Sequence, residues 1–218
     1  MPAERAETAV VLAGGDPVAP GLRGLLPEGA TVIAADSGLH QAKLLGIEVD
    51  VVVGDLDSVE PAALALAEAA GARVERHPTA KDETDLELAL RAASLLHVRR
   101  VVVVGGAGGR LDHFVANALL LASPQFAHLD IEALIGSARV KPIRKLAELH
   151  GSPGDLVTLL ALGGPARGVR TTGLVYPLDG EDLFPGSTRG VSNEMCASSA
   201  SVSLEEGTLL AVQPFGGW

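Results

Sequence analysis

A chain of 218 residues, 47% of them hydrophobic, is long enough to bury a core and too apolar to be disordered throughout. Its 17 Lys and Arg stand against 27 Asp and Glu, a formal charge of −10, which speaks against a nucleic-acid footprint and leaves any phosphate partner to metal ions or a few placed basic groups. One cysteine (Cys196), no apolar signal-peptide run in "MPAERAETAV" and no apolar span of membrane length together predict a cytoplasmic protein without disulfides and without a membrane.

The first apolar run, residues 8–15 (TAVVLAGG), closes on a glycine pair. Residues 30–38 (ATVIAADSG) repeat the design and end on Asp36. Residues 49–58 (VDVVVGDLDS) repeat it again and set down Asp55 and Asp57. A helical pattern follows at 61–71 (PAALALAEAAG), with Pro at its start and Gly just past its end. A second helix is predicted over 84–96 (TDLELALRAASLL), where Thr84 and Glu87 form a capping-box pair. The next apolar run is 99–109 (RRVVVVGGAGG), followed by a third helical pattern at 112–123 (DHFVANALLLAS). Continuous β-branched runs mark strands covered on both faces, and their alternation with helices predicts an α/β fold with a parallel sheet.

From "VKPIRKLAELHGSPGD" onward Gly, Pro, Ser and Thr become frequent and helical periodicity fades. "DLVTLLAL", "GVRTTGLVYPL" and "ASVSLEEGTLLAVQP" read as strands separated by turns. A boundary near residue 138 therefore separates an α/β domain, 1–137, from an all-β sandwich or barrel-like domain, 138–218.

In an open α/β sheet, ligands bind beyond the carboxyl ends of the strands, which is where this chain places its acids. In extended geometry Asp55 and Asp57 point to one side, and two bare carboxylates there would repel. A divalent cation removes that repulsion, and an all-oxygen site suits Mg²⁺; a solvated turn is the plainer alternative. Residues 78–87 (PTAKDETDLE) set Asp82 and Asp85 around a capped helix start, where carboxylates also offset the helix dipole. Lys81 beside them can meet a phosphate or simply be solvated. Residues 105–117 (GGAGGRLDHFVAN) form a Gly-rich turn between strand and helix, open to an anion, with Arg110 able to fork onto a phosphate. The segment is neither a dinucleotide fingerprint, since Leu111 stands where the last glycine would be, nor a Walker A loop. Asp112 caps the helix or holds Arg110, and His113, one turn before Asn117, is a ligand or a structural histidine.

"GDLDS", "KDETDLELAL", "GGRLDHFVAN" and, far downstream, "GVSNEM" stand in the order and rough spacing of bacterial thiamine pyrophosphokinases, and the sequence resembles that family over nearly its whole length. The resemblance implies transfer of pyrophosphate from ATP to the hydroxyethyl oxygen of thiamine, with release of AMP. It also implies an ATP/Mg²⁺-binding α/β domain, a thiamine-holding β-sandwich, and a homodimer with active sites at the subunit interface. On matched positions Asp36, Asp55, Asp57, Thr84 and Asp85 take the acidic Mg²⁺–ATP site, with Lys81 and Asp82 on the same motif. Arg110 and Asp112 match the pair beside the nucleotide phosphates. Ser192 and Asn193 match a thiamine-contacting pair, and Tyr176 in "GLVYPL" matches the family's aromatic position. Asp85 or Asp112 is a candidate general base, and metal-assisted attack without a base is the alternative. Where many relatives have Asp-Gly-Gly, this chain has Asp36-Ser37-Gly38, and no ligand contact is expected at residue 37. No role is expected for Trp218. The competing readings are a pyrophosphokinase for another alcohol, such as a hydroxymethylpterin, and a non-catalytic nucleotide or thiamine sensor.

Overall fold

The computed structural model describes residues 7–80 and 82–214. Lys81 and Trp218 therefore lie outside the described residues. The fold divides into two compact units between Gly136 and Ser137.

In the first unit six strands run in sequence as β1 (Thr8–Leu12), β2 (Thr31–Ala35), β3 (Val51–Gly54), β4 (Arg73–Arg76), β5 (Arg100–Val104) and β6 (Asp130–Ile135). They lie side by side in the order β6-β5-β1-β2-β3-β4, and every pairing is parallel. The β-branched runs fill the middle of this sheet: Val10, Val11, Val52, Val53, Val101 and Val103 are all buried. Parallel strands covered on both faces need such runs, so the apolar segments of the sequence became the central strands. β4 (RVER) is an edge strand with charged, partly exposed residues. It lacks the apolar run that marks its neighbours, and sequence patterning passed over it.

Four helices connect these strands: α1 (Leu39–Leu45), α2 (Pro61–Ala69), α3 (Asp85–Leu95) and α4 (Leu111–Leu120). The expected capping of α3 is present, with Thr84 Oγ1 accepting from the Glu87 N–H at 3.3 Å. α1 has only seven residues and no side-chain cap, and it escaped the sequence reading. The chain moves outward through β1, β2, β3 and β4, then returns to place β5 on the other side of β1. That reversal makes the gap beyond the carboxyl ends of β1 and β5 the topological switch point, where the connecting loops diverge and a ligand fits.

The second unit contains β7 (Ala138–Ile143), β8 (Leu146–His150), β9 (Leu156–Ala161), β10 (Ala166–Thr172), β11 (Asp179–Leu183), β12 (Asn193–Glu194), β13 (Ser199–Ser203) and β14 (Leu209–Pro214). Its strands follow the orders β12-β9-β14-β7 and β11-β10-β13-β8, with antiparallel pairings. Alternate residues point inward, as β8 and β9 show, and Leu149, Val157, Leu159, Val169, Met195, Val202 and Leu209 share one core. The strand expected through "GVRTTGLVYPL" stops at Thr172. Gly173 turns the chain at φ +74, and a Cβ there would lie 2.4 Å from the Ser199 carbonyl oxygen. Leu174 then bridges to Met195, which sends Val175 and Tyr176 out of the strand.

Candidate active site

β2 ends at Ala35, and the chain enters a 3-10 turn at once over Asp36–Gly38. Asp36 adopts φ +45, which few side chains tolerate, and Asp tolerates better than most. Its carboxylate is buried, and Oδ1 has no hydrogen-bond partner. At the end of β3, Gly54 sits at φ +147. A Cβ at Gly54 would lie 3.0 Å from the Asp36 Cβ and 3.2 Å from Asp85 Oδ1. Glycine thus lets the Asp36 and Asp85 side chains approach the end of β3.

Asp55 and Asp57 converge by a different route from the expected one. The backbone between them is not extended, because Leu56 is left-handed at φ +63. Its side chain is buried with Ala34, Leu39, Val52, Val59 and Leu64, and this packing holds an otherwise unfavourable conformation. The turn is tightened by the Asp57 N–H, which donates to Asp55 Oδ1 at 3.4 Å, and by Ser58 Oγ, which donates to Asp57 Oδ1 at 2.9 Å. Carboxylate oxygens of Asp36, Asp55 and Asp57 come within 4.8 Å of one another. Burial, and then the charges of Asp85, Asp55 and Asp57, push the Asp36 carboxyl above its ordinary range, against a hydrogen bond from the Ser37 N–H. A buried carboxylate oxygen without a partner, facing other carboxylates, fits a hard divalent cation.

These acids stand at one end of a cleft of about 730 Å³ within the first unit. Asp36, Asp55, Asp82, Thr84, Asp85 and Arg110 all line it. Asp57 joins through the acid cluster. Ser37 also lines the cleft, where no contact was expected of it. Thr84 Oγ1 donates to Asn117 Oδ1 at 3.5 Å, which ties the start of α3 to α4. Arg110 precedes α4 and forks onto Asp112, Nε to Oδ1 at 3.1 Å and Nη2 to Oδ2 at 2.5 Å. Of the two roles open to Asp112, the geometry shows the one that holds Arg110. That hydrogen bond also keeps the Asp112 carboxyl below its ordinary range, which makes it a weak proton acceptor.

Glycines also wall the cleft, Gly14 and Gly15 after β1 and Gly106, Gly108 and Gly109 after β5. The β5 turn was read from the sequence as open to an anion, whereas the β1 pair was given no such role. The two loops are zipped by backbone bonds, Ala13 N–H to Val104 O at 2.8 Å, Gly106 N–H to Gly14 O at 2.7 Å and Asp16 N–H to Ala107 O at 2.8 Å. The approach is so close that a Cβ at Gly15 would lie 2.2 Å from the Ala107 oxygen. The glycine pair closing the first apolar run was the available signal.

The remaining predicted residues lie in the second unit. Ser192 is left-handed at φ +56, and its N–H donates to Thr158 Oγ1 at 3.0 Å. The buried Asn193 amide is spent on backbone. Its Oδ1 accepts from the N–H groups of Tyr176 (3.0 Å) and Glu194 (2.8 Å), and its Nδ2 donates to the Tyr176 carbonyl at 2.7 Å. Tyr176 itself is 60% exposed. Asn193 therefore clamps the segment that displays Tyr176.

Comparison with known proteins agrees with both units. Residues 22–133 match the model of the thiamin pyrophosphokinase catalytic domain, and residues 145–209 match that of the thiamin pyrophosphokinase vitamin B1 binding domain. The chain is 26% identical over 210 residues to a thiamine pyrophosphokinase of Bacillus subtilis, covering 95% of this chain and 98% of that protein. Among solved structures, the thiamine pyrophosphokinase of Bacillus subtilis superposes with a TM-score of 0.85 at 26% identity, over 96% of this chain and 100% of that one. That of Geobacillus thermodenitrificans gives 0.82 at 26% identity, over 96% and 98%.

Proposed function

This chain belongs to the thiamin pyrophosphokinase family, and from that premise we propose how its residues transfer pyrophosphate from ATP to the hydroxyl of thiamine, giving thiamine diphosphate and AMP. The observation that carries the residue assignment is the convergence of Asp36, Asp55 and Asp57, with a partnerless buried oxygen on Asp36, at the end of a glycine-walled cleft. Asp36, Asp55, Asp57 and Asp85 hold Mg²⁺. The metal, when bound, neutralises charge on the polyphosphate and polarises its oxygens. Thr84 and Asp82 line the nucleotide side, and Lys81 lies on the same motif. Arg110, oriented by Asp112, offsets the charge that develops on the transferred group. Asp85 and Asp112 are the candidate acceptors for the proton of the attacking alcohol, Asp112 being engaged by Arg110, and metal-assisted attack without a base is the alternative.

In the second unit, Ser192, Asn193 and Tyr176 receive thiamine. Asn193 keeps one Nδ2 hydrogen after donating to the Tyr176 carbonyl, and its main contribution is to fix Tyr176. A homodimer completes the site. α4 begins beside the cleft, has no buried residue, and leaves Leu111, Val115 and Leu119 exposed, an apolar face that suits a second copy of the chain. No helix among the described residues is long and apolar enough to cross a membrane, and a single exposed cysteine suits a cytoplasmic setting.

The test is incubation with ATP, Mg²⁺ and thiamine, followed by detection of AMP and thiamine diphosphate. AMP release only when a hydroxymethylpterin replaces thiamine would move the substrate assignment, and binding without turnover would support a sensor. Mixing Asp57→Asn subunits with Asn193→Ala subunits tests the shared site. Recovered activity after confirmed exchange supports it, and activity no higher than that of the separate variants refutes it.

A further inference from the structure

We propose that Gln41, a residue outside every motif of the family pattern, is the positioning residue for the glycine wall of the nucleotide cleft. The proposal rests on the ATP reading of that cleft given above. Gln41 lies on α1 and is only 2% exposed, one of few buried polar residues among the described residues. A buried side-chain amide is costly unless its donors and acceptor are paired. Among the described residues, the hydrogen-bond partners of the Gln41 side chain all belong to one short loop. Its Oε1 accepts from the Val18 N–H at 3.1 Å, and its Nε2 donates to the Asp16 carbonyl at 3.1 Å and to the Gly15 carbonyl at 3.5 Å.

That loop is the part of the wall that follows β1. Gly14 and Gly15 line the cleft, and Asp16 and Val18 follow them. On one side the loop is zipped to the β5 loop through Gly14 and Asp16. On the other it is held by the Gln41 amide. Two glycines confer wide backbone freedom, with Gly15 at φ +113, so a wall made of them stands in one place only if neighbours fix it. Gln41 supplies that constraint from behind without touching the cleft itself. It also couples the wall to the acid cluster, because α1 begins directly after the Asp36–Gly38 turn. The same short segment thus carries a proposed metal ligand at one end and the clamp on the glycine loop at the other.

A residue that merely stabilises the unit would, when replaced, lower the melting temperature and leave the substrate constants alone. A positioning residue for this wall should act on the nucleotide and spare thiamine. Gln41→Met keeps the volume and removes every hydrogen bond. Gln41→Glu keeps the size and the acceptor for Val18 while turning the donor toward two carbonyls into an oxygen. We expect Gln41→Met to raise KM for ATP about tenfold, equivalent to ~1.4 kcal/mol, with KM for thiamine within about twofold. Hydrogen exchange at the Val18 amide should quicken in Gln41→Met and stay near wild type in Gln41→Glu, while KM for ATP rises in both. An unchanged KM for ATP, a parallel rise for both substrates, or failure of both variants to fold would overturn the proposal. If the wild-type protein releases no AMP, the functional reading fails separately. The clamp is then judged by Val18 exchange and by calorimetric binding of ATP with Mg²⁺: a loss of affinity confined to the Gln41 variants upholds it, and equal binding refutes it.

Discussion

The two polar clusters of this protein handle hydrogen bonding in opposite ways. At the strand ends of the first unit, Asp36 carries a buried oxygen with no partner, and its neighbours are other carboxylates. In the second unit, Asn193 is equally buried, and its amide bonds to both backbone groups of Tyr176 and to the N–H of Glu194. An unpaired buried polar atom costs free energy in the free protein, so it persists where a ligand supplies the missing partner. An amide spent mostly on backbone shapes the chain instead. Under the proposed function, the contrast separates residues that would meet the ligand from residues that hold backbone in place, although both kinds stand in motifs of the same sequence pattern.

The largest effect expected from this contrast is in the acid cluster. Asp55→Asn removes one charge from the acid cluster while keeping the shape of the side chain. Turnover should fall by at least about a hundredfold, or ~2.7 kcal/mol of barrier. The melting temperature should hold or rise, since like charges no longer crowd Asp36. AMP release and thermal melts on one preparation check both halves, and near-wild-type turnover would remove Asp55 from the site.

Asn193→Ala should behave in the reverse sense. It leaves the Tyr176 N–H, the Tyr176 carbonyl and the Glu194 N–H without their partner, so stability should drop by about 2 kcal/mol. KM for thiamine should rise well above any change for ATP. Urea titration beside steady-state kinetics reads the two effects. A variant as stable as wild type would show that the backbone of the Tyr176 segment does not depend on the clamp.

How much of this was legible beforehand follows the same physics. The central strands were readable because burial on both faces forces continuous apolar runs, as in Val101–Val104. The α3 start was readable because Thr84 and Glu87 are local partners. β4 was not, because an edge strand tolerates charge. The convergence of Asp55 and Asp57 was anticipated for the wrong reason. An alternating extended strand was assumed, whereas a left-handed Leu56 packed into the core makes the turn. Gln41 and the Asn193 clamp were invisible because their partners lie 23 and 17 residues away, and nothing in the local pattern marks a long-range side-chain-to-backbone bond.

A smaller effect is expected where a group proposed to face the ligand is already paired. Arg110 forks onto Asp112 in an exposed position, so the pair itself should add little to stability. Arg110→Lys keeps the charge and loses the planar fork. Turnover should fall about tenfold, ~1.4 kcal/mol, with an unchanged melting temperature. Unchanged kcat would show that the guanidinium meets no developing charge.

The smallest effect should come from Ser192, the one residue of the second cluster whose conformation is strained. Its φ of +56 suits glycine, and its N–H rather than its hydroxyl makes the bond to Thr158. Ser192→Gly relieves the local strain and gives the unfolded chain more freedom to lose. These effects oppose, so stability should change by less than about 1 kcal/mol. The hydroxyl, by contrast, is lost outright. If Ser192 meets thiamine through that hydroxyl, KM for thiamine should rise about fivefold, ~1 kcal/mol, while KM for ATP and the urea midpoint stay put. A rise in neither constant would leave Ser192 as a turn residue and pass recognition to Tyr176. A stability loss above about 2 kcal/mol would place Ser192 with Asn193 among the residues that shape the backbone, and would move the line between holding and meeting the ligand to the far side of the whole Ser-Asn pair.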